Sequence, residues 1–175
     1  MLRHLRAAPL FLLLTAAACD SGSPTSANTT VNGLVFTRAN GTRLSFAGAP
    51  VAWCGAWETG YDERPALHVL VRGNTTQPWW ELTVLQSDIQ AGVPLTFPSQ
   101  SVGDKQVGAH MFVLDPPNEA STAELDATGS ITFPGTPCSG PGGVAFAIDA
   151  TLGSEFHDGP TIAVTGTFRG PTADR

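Results

Sequence analysis

Apolar and polar residues alternate in short runs along most of this chain, and turn-forming residues separate the runs. A period of two is typical of half-buried strands, and no stretch beyond the N-terminus has the 3.6-residue period of an amphipathic helix. The predicted strands cover residues 31–38, 42–47, 51–57, 66–72, 79–86, 95–97, 110–115, 123–133, 144–152 and 161–169. We therefore predict an all-β fold, an antiparallel β-sandwich or barrel-like domain of about nine or ten short strands with little or no helix.

Two pairs of predicted strands are joined by short turns. Asn40-Gly41 separates the first two strands, and both residue types tolerate the positive φ that a type I′ hairpin turn requires. Residues 73–76 (Gly-Asn-Thr-Thr) separate strands 66–72 and 79–86. Both turns predict β-hairpins.

The composition supports one β domain. The chain has 175 residues, of which 42% are hydrophobic and 14% charged, with 19 Gly and 14 Pro. Such a length is enough for one hydrophobic core, and abundant Gly and Pro weaken helix interiors while favouring tight turns.

The first 18 residues have a different pattern. Arg3, His4 and Arg6 precede a short apolar run at residues 9–18. A positive segment followed by an apolar run and small residues is typical of a cleaved export signal. The run is too short for a permanent transmembrane helix.

The sequence Thr-Ala-Ala-Ala-Cys at residues 15–19 resembles the lipobox of bacterial lipoproteins. In that family signal peptidase II cleaves before the cysteine, which carries the lipid; Ala16 stands where the family usually has Leu. The resemblance implies an exported protein of the bacterial cell envelope, anchored to the membrane through Cys19. The alternative is an ordinary secretory signal, with Cys19 left as a thiol.

This assignment predicts the organisation of the chain. Residues 1–18 form the signal peptide, residues 19–30 the lipidated cysteine with a flexible Ser/Thr-rich tether, residues 31–170 a single β domain, and residues 171–175 a C-terminal tail.

The cysteines form a pair once Cys19 carries lipid. Cys54 and Cys138 then remain in an oxidising compartment, which predicts a disulfide between them. The alternative is two reduced, buried cysteines that lie too far apart to bond.

The charge excludes two classes of partner. The formal net charge is −6, and it becomes −8 without residues 1–18, which contain two arginines and no acidic residue. Lys105 is the only lysine. An acidic domain of this kind has no basic patch for nucleic acid or anionic headgroups, so membrane attachment is predicted through the lipid alone.

The segment 51–57 contains one cysteine and two of the four tryptophans. On a regular strand Trp53, Gly55 and Trp57 share one face and Cys54 lies on the other. We expect Trp53 in the core, with a bulge at Gly55 if both ring systems are buried. The alternative is an exposed platform that stacks against a sugar ring. The candidate ligand-binding residues are Trp53, Trp57, Trp79 and Trp80.

No motif with a known catalytic mechanism is present: the chain lacks G-x-S-x-G, H-E-x-x-H, C-x-x-C and a phosphate-binding Gly loop. The sequence therefore favours a non-catalytic binding or structural domain without a cofactor, whose partner is a carbohydrate or an envelope protein. The alternative is an envelope hydrolase or metalloenzyme. Its candidate metal ligands are His68, His110, His157 and Asp158.

Overall fold

A computed structural model describes residues 30–56, 64–99, 101–102, 105–106, 108–139, 143–154 and 159–173. Within these residues the chain forms fourteen strands, one 3₁₀ turn at Gln86–Asp88 and no α-helix. The strands are β1 (Thr30–Val31), β2 (Leu34–Arg38), β3 (Val51–Ala56), β4 (Pro65–Val71), β5 (Trp79–Leu85), β6 (Pro94–Thr96), β7 (Ser101–Val102), β8 (Lys105–Gln106), β9 (Ala109–Asp115), β10 (Asn118–Ser121), β11 (Thr128–Thr132), β12 (Val144–Ser154), β13 (Ile162–Gly170) and β14 (Thr172–Ala173). Nine of them contain four residues or more, and the all-β prediction is confirmed.

Strand β12 joins two halves of one curled sheet. Its residues 144–152 pair with β13, and residues 153–154 pair with β10. The first half-sheet contains β6, β11, β12, β13, β2 and β1, and the second contains β10, β9, β5, β4, β3 and β14. Among the described strands, β14 and β3 form the one parallel pair, because the chain crosses to the second half-sheet after Gly170 and then runs beside β3.

The two half-sheets face each other across one hydrophobic core. Alternate residues of each long strand point inward, as the period of two predicts. The inward residues of β12 are Val144, Phe146, Ile148, Ala150 and Leu152, and those of β5 are Trp80, Leu82 and Val84. All of them belong to a single cluster of buried side chains, so the fold is a sandwich that is curled into a half-barrel.

Turns are present at both predicted positions, but Asn40-Gly41 does not form the predicted type I′ turn, because only Gly41 of the two has a positive φ, of 83°. Gly41 donates a backbone hydrogen bond to the Arg38 carbonyl, but the strand predicted at 42–47 is reduced to a single bridge between Thr37 and Arg43. Residues 73–76 connect β4 to β5, which form a regular antiparallel pair.

Two links hold the half-sheets together at opposite ends of the core. At one end, Arg38 of β2 makes a two-point ion pair with the buried Asp115 of β9, with Nε–Oδ2 and Nη2–Oδ1 distances of 2.5 and 2.9 Å. The hydrogen bond to Asp115 raises the pKa of Arg38. At the other end, the predicted disulfide between Cys54 and Cys138 is present, with the two Cα atoms 5.8 Å apart. It connects β3 to the segment between β11 and β12.

Candidate functional site

Strand β3 is regular, and this corrects one expectation about the tryptophans. Its residues pair one by one with β4 from Val51 to Ala56, so of the two alternatives, a bulge at Gly55 or a regular strand, the regular strand is present. Cys54 therefore points toward the core, while Trp53 lies half-buried on the outer face of the second half-sheet. The expectation of Trp53 in the core is wrong, because a regular strand cannot turn both side chains inward.

The other candidate tryptophans are placed differently. Trp80 is completely buried between the half-sheets, so its assignment as a ligand-binding residue is wrong. Its neighbour Trp79 points the opposite way and lies half-buried on the same outer face as Trp53. Trp57 lies outside the described residues. Two of the four candidates thus share one surface.

We call this surface the aromatic face. It is the outer face of β3, β4, β5 and β9, and strand register places its residues in cross-strand rows. Its apolar members are Val51, Trp53, Leu70, Trp79, Phe112 and Leu114. Its polar members are His68, Glu81, Thr83 and His110. All of these are half-buried except Val51, which is 43% exposed. Ala66 and Leu85 lie opposite each other further along the same face and are completely buried in a small cluster of their own.

The outer face of the first half-sheet has a different composition. Small and polar residues occupy the corresponding positions of β11, β12 and β13: Ser130, Thr132, Ala145, Ala147, Asp149, Thr165, Thr167 and Arg169. Solvated sheet faces usually carry such residues, whereas a contiguous apolar patch usually marks an interaction site. The contrast between the two outer faces identifies the aromatic face as the candidate site.

A shallow groove of about 400 Å³ also crosses the outer face of the first half-sheet. Its lining includes Thr132, Pro134, Ala147 and Thr167, with Arg169 at one side. Phe146 and Phe168 contribute to its floor, but both are buried core residues. The groove offers a ligand few polar groups and no surface-exposed ring.

The Trp53 and His68 rings stack across β3 and β4. Their centroids are 4.9 Å apart, and the ring planes differ by 9°. This separation equals the spacing of about 4.8 Å between paired strands, so the rings stand upright side by side. Trp53 therefore does not lie flat on the sheet in the way that a sugar-stacking platform requires.

His68 is held by two hydrogen bonds. Its Nε2 lies 3.1 Å from the Ala56 carbonyl oxygen, and its Nδ1 lies 3.3 Å from Thr83 Oγ1. Because a carbonyl oxygen only accepts, Nε2 carries a proton and donates it, and in the neutral ring Nδ1 accepts from the Thr83 hydroxyl. Both ring nitrogens are thus engaged within the protein.

The candidate metal ligands are not brought together in the described part of the chain. His68 and His110 lie on β4 and β9, and β5 runs between these strands, so their backbones are roughly 10 Å apart. Over the described ranges, no three His, Cys, Asp or Glu side chains are close enough to hold a metal ion. His157 and Asp158 lie outside those ranges.

Two titratable groups on the aromatic face are perturbed by burial. Desolvation raises the pKa of Glu81 and lowers the pKa of His110, and it is the largest cause of each shift. Leu70 and Phe112 are the cross-strand neighbours of Glu81. No hydrogen bond or ion pair to another described residue engages either side chain. Perturbed groups of this kind cluster at functional sites.

Some residues of the aromatic face belong to no catalytic motif but lie in segments with an unusual strand pattern. The segments 79–85 and 110–114 carry large side chains on both faces of the strand, and only one face of a half-buried strand normally does so. Glu81 and Phe112 could have been selected on that basis, whereas Leu70 lies on a different strand. Their meeting on one surface depends on strand order.

Comparison with known proteins gives no further assignment: no family model, curated protein or solved structure matches this chain. The described residues contain no helix that is long and apolar enough to cross a membrane.

Proposed function

We propose that this chain is a lipid-anchored protein of the bacterial cell envelope whose non-catalytic β domain binds a small ligand on the aromatic face. The aromatic face carries the proposal, because half-buried Trp, Phe and Leu side chains occupy a sheet surface where the opposite half-sheet has Thr, Ser and Ala. A disulfide is typical of exported proteins and is compatible with this location.

The dimensions of the aromatic face favour a small ligand over a protein partner. Four strands at about 4.8 Å spacing and three rows of outward residues give an area of roughly 400 Å². A stable protein interface buries about 800 Å² on each partner.

A carbohydrate is one ligand class for this surface, with Trp53 and Trp79 as the ring-bearing residues. Trp79 contacts Phe112, with ring centroids 5.2 Å apart and planes inclined at 43°, so the two rings form a wall rather than a flat platform. Glu81, Thr83 and His110 provide hydrogen-bonding groups beside this wall. Cellotriose, an oligosaccharide, is therefore one of the compounds used to test binding.

Amide chemical-shift mapping tests the binding surface. We expect that, in a titration series with choline, cellotriose and indole, at least one compound perturbs the amides of β4, β5 and β9, because these strands carry the aromatic face. Phe112→Ala should abolish the perturbation. Thr165→Ala, an exposed substitution on the opposite outer face, should leave it unchanged. Shifts confined to the groove around Pro134 and Ala147, or no shifts at all, would contradict the proposal.

Acylation tests the anchor. Replacing Cys19 by serine should abolish incorporation of labelled palmitate when the chain is produced in a Gram-negative host, since the lipid of a bacterial lipoprotein is carried by this cysteine. Ser21→Ala is the matched control and should retain the label, because it changes a neighbouring residue while leaving Cys19 and the disulfide in place. Equal labelling of the Cys19→Ser variant would disprove the lipid anchor without affecting the binding proposal.

A further inference from the structure

Glu81 is an acidic side chain among large apolar neighbours on the aromatic face. Leu70 of β4 and Phe112 of β9 flank it across the strands, and Trp79 lies two residues earlier on the same face of β5. The Trp79 and Phe112 rings contact each other beside it. No described cation or hydrogen-bond donor is paired with the Glu81 carboxyl group.

We propose that the aromatic face binds an organic cation, a protonated amine or a quaternary ammonium group, against the Trp79 and Phe112 rings with the Glu81 carboxylate as its counter-ion. This inference rests on the proposed function of the aromatic face and names the ligand class for it.

The chemistry of the neighbours favours a cation over a neutral ligand. Aromatic rings attract a desolvated cation through their negative faces, most strongly when the site is partly removed from water. A carboxylate in such a place lacks a compensating charge, and a cationic ligand supplies it. A neutral sugar could accept or donate hydrogen bonds there but would leave the charge uncompensated.

The electrostatics of Glu81 agree with this assignment. Burial raises the pKa of Glu81, and no nearby positive group offsets that effect. An opposite charge at the carboxylate would lower this pKa, so cation binding and loss of the Glu81 proton are coupled. The negative charge of the whole chain also raises the local concentration of cations.

None of the other described charged or titratable groups near Glu81 is paired with its carboxylate. His68 on β4 is hydrogen-bonded to Ala56 and Thr83. Arg72 directly follows β4 and is exposed, at the register position opposite Trp79 on the same face. His110 on β9 is opposite Thr83, and burial lowers its pKa, which favours the neutral ring. Glu119 on β10 is opposite Leu114 at the edge of the face, where it has an interaction partner of its own.

Titration with choline and with its uncharged isostere 3,3-dimethylbutan-1-ol tests the inference. Choline should bind with shifts in the β5 and β9 amides, and at least about tenfold more tightly than the isostere, which has the same shape without the charge. Its affinity should fall as the pH is lowered through the pKa of Glu81, because the proton then competes with the cation.

Glu81→Gln is the decisive variant. It should weaken choline binding by about tenfold or more and remove the pH dependence of binding. Asp149→Asn removes one acidic charge from the opposite outer face and should change neither the affinity for choline nor its pH dependence.

Unfolding measurements show whether the Glu81→Gln variant folds. Glu81→Gln should be more stable than the wild type at neutral pH, where the desolvated carboxylate is charged, and this gain should vanish in acid, where Glu81 is protonated.

The outcomes separate the two proposals. Equal binding of choline and its isostere, or full choline affinity in Glu81→Gln, would overturn the cation assignment while leaving the aromatic face as the binding surface. Cellotriose shifts on the aromatic face without choline binding would do the same. If no compound in either series perturbs that face, the proposed function fails together with the cation assignment.

Discussion

Replacing Cys54 and Cys138 together by alanine is expected to lower the free energy of unfolding by about 4 to 5 kcal/mol. The two cysteines are 84 positions apart, and in the chain-entropy model a crosslink over such a loop removes this much conformational freedom from the unfolded chain. The loss is comparable to the total net stability of a small domain. The disulfide is therefore expected to be one of the largest single contributions to the stability of the fold.

Chemical denaturation of the wild type and the double variant measures this difference. Cys19→Ala is the matched control, because it removes the third cysteine without touching the disulfide, and it should leave the denaturation midpoint unchanged. Reduction of the wild type should reproduce the loss seen in the double variant. A loss below about 1 kcal/mol would show that the unfolded chain is already restricted or that the crosslink strains the native state.

Trp80→Ala is expected to cost about 3 to 5 kcal/mol. The side chain is completely buried between the half-sheets, and its ring lies 5.6 Å from that of Phe36 on β2, with an interplanar angle of 33°. The Phe36 ring in turn makes an edge contact with the Phe46 ring, and their centroids are 4.8 Å apart. Truncation would leave a cavity at the contact between the half-sheets, where surrounding strands cannot collapse to fill it.

Trp80→Phe should cost much less than Trp80→Ala. The Nε1 atom of Trp80 is the one buried side-chain polar atom among the described residues without a hydrogen-bond partner, and phenylalanine removes this unsatisfied donor while retaining an aromatic ring. Trp79→Ala is the matched control for ring removal on the outer face and should be milder than Trp80→Ala. Equal losses for Trp79→Ala and Trp80→Ala would contradict the assignment of inner and outer faces.

The strand pattern could be predicted well where alternation was strong. β4, β5, β9, β12 and β13 all lie within two residues of the predicted bounds, because alternation is a local property of the sequence. β10 (Asn118–Ser121) was missed, since its sequence has no apolar alternation and it is a strand only because it pairs with β9 and with the end of β12.

The candidate site was predicted only in part. Trp53 and Trp79 were predicted as ligand-binding residues and lie on the aromatic face, whereas His68 and His110 were predicted only as metal ligands. Trp80 was predicted as a ligand-binding residue but is buried in the core. Adjacent residues of a strand necessarily point to opposite faces, so at most one of Trp79 and Trp80 could serve a surface site. The pattern did not say which one, because apolar side chains occupy both faces of this strand.

The sequence by itself determined the all-β class and the strands with strong alternation, since composition and alternation are local properties. It also predicted the pairing of Cys54 with Cys138, which the structure contains. Only the tertiary structure decided which face of each strand is inside, and it placed Glu81 between Leu70 and Phe112. The reason is physical: alternation has two equivalent phases, and only closure of the two half-sheets around one core selects the phase that leaves Trp53 and Trp79 outside.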